Sequence, residues 1–81
     1  MDPTEVENLI KAGLPDCDVS VKGDGSHFEA IVIGDVFADL SLVKKQQLVY
    51  GALAGHIADG SIHAVNIRTF TAAEWAEQAR G

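Results

Sequence analysis

Three histidines, His27, His56 and His63, carry most of the chemistry this chain can offer. Neutral imidazole is the commonest protein metal ligand, and its charge changes close to neutral pH. His27 follows Gly23-Asp24-Gly25-Ser26, a run of turn-forming residues, and leads into a nearly continuous apolar stretch from Phe28 to Ile33. His63 stands near the start of another such stretch, Ile62 to Phe70. Both therefore belong at strand ends, where a side chain faces solvent from a rigid base. Two imidazoles make an incomplete metal site, so the missing ligands would have to come from a partner. His56 lies inside the longest helical segment and reads as a solvated or hydrogen-bonded residue.

A second anomaly is Ser41-Leu42-Val43-Lys44-Lys45. With Ser41 as N-cap, Lys44 and Lys45 fall in the first helical turn, where the helix dipole disfavours cations by about 0.3–1 kcal/mol each. A helix start carrying two lysines is a candidate anion or nucleic-acid site. The formal Ser-x-x-Lys match to a penicillin-binding nucleophile is rejected, because the other elements of such a site are missing. Cys17 is flanked by Asp16 and Asp18, which raise its thiol pKa and argue for a small semi-buried residue over a nucleophile. Gly23-x-Gly25 is too short for a dinucleotide fingerprint, and no Walker-type loop is present. Without an acid–base or nucleophile pair, the chain reads as a binding module and not an enzyme.

Local signals suffice to place the elements. Asp2 caps a first helix with Pro3 in its first turn and Glu5 completing a capping box; Val6, Leu9, Ile10 and Leu14 form its apolar stripe, and Gly13 and Pro15 end it. Asp18 to Lys22 alternates as a half-buried strand, and with Phe28–Ile33 it makes a hairpin closed by Gly34 and Asp35. Val36 to Leu40 reads as a turn or short helical segment. The long helix runs from Ser41 to about Asp59, with Val43, Tyr50, Leu53 and Ile57 on one side, Val49 nearby, and Gly60 as its cap. Gly51 and Gly55 inside it are expected to allow close approach to the sheet. A third strand follows, with His63, Val65 and Ile67 on one face and Ala64, Asn66 and Arg68 on the other. Thr71-Ala72-Ala73-Glu74 is a capping box that starts a last helix; Trp75 in it and Phe70 before it read as core or lid residues. A helical crossover between the second and third strands predicts a three-stranded sheet covered by helices.

At 81 residues the chain is expected to form one domain, residues 1–81, and its 47% apolar content argues against disorder. A net charge of -6 excludes a basic module held on phosphates. One cysteine allows no internal disulfide. A four-ligand zinc site would consume that cysteine and all three histidines. No stretch approaches the ~20 apolar residues needed to span a bilayer. Met1-Asp2-Pro3-Thr4-Glu5 is acidic where a signal peptide is basic, so a reducing, cytoplasmic setting is expected.

Three segments together resemble the BolA family over nearly the whole chain. They are Gly23-Asp24-Gly25-Ser26-His27-Phe28-Glu29-Ala30, Val43-Lys44-Lys45-Gln46-Gln47-Leu48-Val49-Tyr50-Gly51, and Ile62-His63-Ala64-Val65-Asn66-Ile67 with Thr71-Ala72-Ala73-Glu74-Trp75. The Lys-Lys-Gln-Gln and Gly-Asp-Gly-Ser-His versions are most similar to one bacterial branch. The resemblance implies an α+β fold, an αββααβα type II KH-like domain with a three-stranded mixed sheet packed against helices. It also implies a partnership with a monothiol glutaredoxin, in which a 2Fe–2S cluster, absent from the isolated protein, is shared in iron–sulfur trafficking and stress-linked regulation. The glutaredoxin and its glutathione give thiolates; His63 and the loop residue His27 match the family's ligands on this side. Imidazole ligation raises the potential relative to all-cysteine sites, and because imidazole must be neutral to ligate, cluster holding should weaken in acid. The turn at Gly34-Asp35-Val36-Phe37 lacks the Gly-x-x-Gly of a KH domain, so RNA binding by that route is not expected. The alternative reading is a DNA-binding transcriptional regulator using a helix-turn-helix-like element around Val36–Tyr50, with Lys44 and Lys45 on phosphates; the net charge weighs against it. The free form is left open between monomer and weak homodimer.

Overall fold

The computed structural model of the protein describes residues 1–24 and 27–80, the side chain of residue 80 excepted. The hairpin turn expected at Gly23–Ser26 therefore lies partly outside the described residues. Helix α1 (Pro3–Gly13) opens on the capping box: the Glu5 N–H donates to Asp2 Oδ1 at 3.0 Å, and the Asp2 N–H to Glu5 Oε1 at 3.5 Å. Such a cap is worth about 1 kcal/mol. Val6, Ile10 and Leu14 are buried, and Leu9 packs at the edge of the core.

Strands β1 (Asp18–Gly23), β2 (His27–Ile33) and β3 (Ala64–Phe70) form one sheet in that order. The β1–β2 pair is antiparallel and the β2–β3 pair parallel, giving a mixed sheet. Parallel neighbours require a crossover. Here it consists of a 3-10 turn (Asp35–Phe37) and helix α2 (Leu42–Ala58). With helix α3 (Ala72–Arg80) the order matches the αββααβα arrangement expected. The β2 residues Phe28, Ala30 and Val32 face the core beneath α1 and α2, while His27, Glu29, Ile31 and Ile33 point to the opposite face. Phe37, from the 3-10 turn, is the largest fully buried side chain.

Helix α2 departs from its sequence reading. Ser41 does cap it, accepting the Lys44 N–H at 3.2 Å, and Gly60 follows its end in the left-handed region (φ 83°). Yet only Val49 and Leu53 are buried; Val43 is 64% exposed, and Tyr50 and Ile57 are also exposed. The helix carries apolar residues around much of its circumference, so hydrophobic period alone does not set which side meets the sheet. Gly51 and Gly55 have open space where a Cβ would stand and bring nothing close. Tyr50 and Gln46 have another use. Tyr50 Oη donates to the Val65 carbonyl at 3.3 Å, and Gln46 Nε2 to that of Ile67 at 3.0 Å. Both carbonyls lie on β3, an edge strand.

Helix α3 starts at the predicted box: the Glu74 N–H donates to Thr71 Oγ1 at 3.1 Å and the Thr71 N–H to Glu74 Oε1 at 2.8 Å. Its described side chains are exposed, and Trp75 meets Phe70 edge-on with centroids 5.2 Å apart. Neither aromatic belongs to the core. The Thr71 N–H, and to a lesser degree the Thr71 hydroxyl and Lys45, hold the Glu74 carboxyl below its ordinary value. A depressed carboxylate stabilises above its unfolded pKa, and that contribution is lost as pH falls through the folded value. The amide shifts of residues 72–79 should therefore lose helical character in acid, and Glu74→Gln should flatten that dependence; an NMR titration in which both chains respond alike would refute it.

Candidate functional site

Parallel register brings the two strand-end histidines together. His27 is the first residue of β2, and its partner across the sheet is Ala64, the first residue of β3. His63 immediately precedes Ala64, so the third strand begins later than the Ile62 start expected and leaves His63 at its mouth. His27 and His63 therefore stand at the same end of adjacent strands, and both are exposed.

The backbone under each imidazole is held firmly. At His27, the main-chain N–H donates to Asp24 Oδ1 at 3.1 Å, and the His27 carbonyl accepts the Asp24 N–H at 3.3 Å. Gly23 is required beside them, because a Cβ there would meet the His27 carbonyl oxygen and the Phe28 ring. The Asp24 carboxylate lies 4.0 Å from His27 Nδ1, with both side chains at least 70% exposed. At His63, the anchor is Ile62: its side chain is buried, and its N–H donates to the His56 carbonyl at 3.0 Å. The preceding turn is closed by the Ser61 N–H donating to Asp59 Oδ1 at 2.8 Å, and the Ser61 contacts pull the Asp59 carboxyl below its ordinary value.

Among the described residues, no three His, Cys, Asp or Glu side chains are grouped to hold a metal ion. Two exposed imidazoles at neighbouring strand ends are chemically suited to supply two ligands to a metal. A groove of about 640 Å³ adjoins His27 on the open face of the sheet, bordered by Lys22, Asp24, Glu29, Ala64 and Asn66.

Lys44 and Lys45 lie in the first turn of α2, as expected. The Gln46 contact with Ile67 and the Tyr50 contact with Val65 show that this helix start sits toward the far end of β3. Six strand steps of about 3.3 Å put that end some ~20 Å from the histidines, so the two sets do not form one site. Lys45 also faces Glu74 closely enough to lower its carboxyl. The helix-turn-helix-like element expected over Val36–Tyr50 consists of a three-residue 3-10 turn followed by the first half of α2.

Cys17 is 7% exposed; burial first, then Asp16 and Asp18, push its thiol above the ordinary value. His56 is partly buried at the α1–α2 contact. Sequence reading missed the row Lys22, Glu29 and Asn66; a charged Glu29 within an otherwise apolar run was its one available signal. No helix of the described residues is long and apolar enough to cross a membrane.

The protein-family model described as BolA-like protein matches residues 9–74. The acid stress protein IbaG of Escherichia coli K12 is 46% identical over 80 residues, 99% of this chain and 95% of that protein. Among solved structures, a BolA homologue from Coxiella burnetii has a TM-score of 0.84 at 34% identity, covering 94% of this chain and 97% of that one. The BolA domain of SufE1 from Arabidopsis thaliana has a TM-score of 0.76 at 25% identity, covering 89% and 93%.

Proposed function

Because the chain belongs to the BolA family, in the branch of the acid stress protein IbaG, we propose that it is the imidazole-bearing partner of a monothiol glutaredoxin. The two would share a glutathione-dependent 2Fe–2S cluster in the cytoplasm, in iron–sulfur trafficking and stress-linked regulation. The observation that supports this best is the placement of His27 and His63 at one end of neighbouring parallel strands. Each is exposed on a fixed backbone, and this chain groups no third ligand with them among the described residues. His63 and His27 would hold one iron, and the glutaredoxin cysteine and glutathione thiolate the other. Imidazole ligands supply a higher reduction potential than an all-cysteine set.

The chain's own contribution is positioning. Ile62 and the Asp59–Ser61 turn fix His63, while Asp24 and Gly23 fix His27. No catalytic set is needed for this role, which is binding and transfer. The test is reconstitution of the purified chain with a monothiol glutaredoxin, glutathione, ferrous iron and sulfide. A coloured 1:1 heterocomplex is expected, lost when glutathione is omitted; two proteins that elute separately and leave this chain colourless would overturn the reading.

A further inference from the structure

The open face of the sheet carries a charge pattern that the paired histidines do not use. Lys22, Glu29 and Asn66 are register partners across all three strands, so a cation, an anion and a carboxamide stand in one row on that face. The next row toward the hairpin holds His27 and Ala64. Ala64 projects only a methyl group, so the surface dips there between longer neighbours, which accounts for the groove of about 640 Å³ beside His27. Among the described residues, ion pairs join Lys11 to Glu7 and His27 to Asp24, and none joins Lys22 to Glu29 although they face each other directly. A ligand entering between these two side chains has no Lys22–Glu29 pair to break.

The row also selects the ligand. A dianion such as phosphate would meet Lys22 but would be repelled by Glu29 and Asp24. A simple amine would meet the carboxylates but not Lys22. A molecule bearing both a carboxylate and an ammonium satisfies both signs, and a peptide unit between them matches the Asn66 carboxamide, which both donates and accepts. We propose that this groove binds a short zwitterionic peptide, its carboxylate on Lys22, its ammonium on Glu29, and its amide on Asn66. Binding itself does not require the cluster reading; only the identification of that peptide with glutathione rests on it.

The experiment is an NMR titration of the free chain, without iron or glutaredoxin, using reduced glutathione, glycylglycine and inorganic phosphate as separate probes. Exposed charge contacts are individually weak, so saturation is expected on the order of millimolar peptide. Amide shifts should cluster at Lys22, Glu29, Ala64 and Asn66, with both peptides and not with phosphate. Lys22→Gln should weaken binding about fivefold, the size of one exposed charge contact. Ala64→Leu, at an exposed position, should fill the dip and abolish it. Shifts equal for phosphate, shifts centred on Lys44 and Lys45, or affinity unchanged in both Lys22→Gln and Ala64→Leu would overturn the proposal. Glycylglycine binding without glutathione binding would keep the groove and discard glutathione as its occupant.

Discussion

His63→Ala is expected to remove the visible absorption of the proposed complex with a monothiol glutaredoxin, by about tenfold or more, and to leave the free chain folded. The second half of that expectation follows from local construction. The backbone at this position is set by the buried Ile62 side chain and by the Ile62 N–H on the His56 carbonyl, neither of which involves the His63 imidazole. Exposed substitutions of this kind usually change stability by within ~0.5 kcal/mol. The first half follows from ligand count. Removing even an outer-shell partner of a metal ligand costs 10–100-fold in affinity as a rule of thumb of about that size, and removing a ligand costs at least as much. His27→Ala should lower the absorption as well, whereas His56→Ala should leave it intact, since that ring lies in the α1–α2 contact and away from the strand ends. Far-ultraviolet circular dichroism of each free variant checks the fold, and titration of the variant with loaded glutaredoxin checks the ligand. An unchanged spectrum with His63→Ala would remove His63 from the site.

Phe37→Ala should come close to unfolding the domain. Truncating a buried Phe to Ala costs about 3–5 kcal/mol. A chain of 81 residues, at roughly 0.05–0.15 kcal/mol per residue, has about 4–12 kcal/mol in all. Phe37 is fully buried and is the largest such side chain, and it enters the core from a single three-residue 3-10 turn. The neighbouring Val36 is half exposed, so Val36→Ala in the same turn should shift the urea midpoint only slightly. Equal midpoints for the two variants would show that the turn, and not the phenylalanine, is what matters at this place.

These two positions also mark where sequence reading was strong and where it was not. The caps at Asp2, Ser41 and Thr71 were legible because a cap is written within four consecutive residues and its geometry is local. Phe37 was not legible as an anchor, because a residue in an irregular connection has no period to reveal its direction. The inward side of α2 was misassigned for a related reason. With Leu42, Val43, Leu48, Val49, Tyr50, Leu53 and Ile57 spread around the helix, pattern alone does not decide its rotation. The structure does, through Val49 and Leu53 in the core and through Gln46 and Tyr50 on the carbonyls of β3. His27 and His63 were each placed correctly at strand ends, but their adjacency needed the parallel register of β2 with β3, which no short-range signal carries. The row of Lys22, Glu29 and Asn66 is invisible for the same reason: its members come from three strands.

The side chains of Gln46 and Tyr50 bear on how copies of this domain can aggregate. An edge strand with free carbonyls is a template on which another chain adds. By donating to Val65 and Ile67, α2 blunts β3 and leaves β1 as the other border of the sheet. Open-ended cross-β growth needs two receptive borders on every copy. With one, strand pairing stops after two copies have joined edge to edge, so the sheet is built to terminate and not to polymerise.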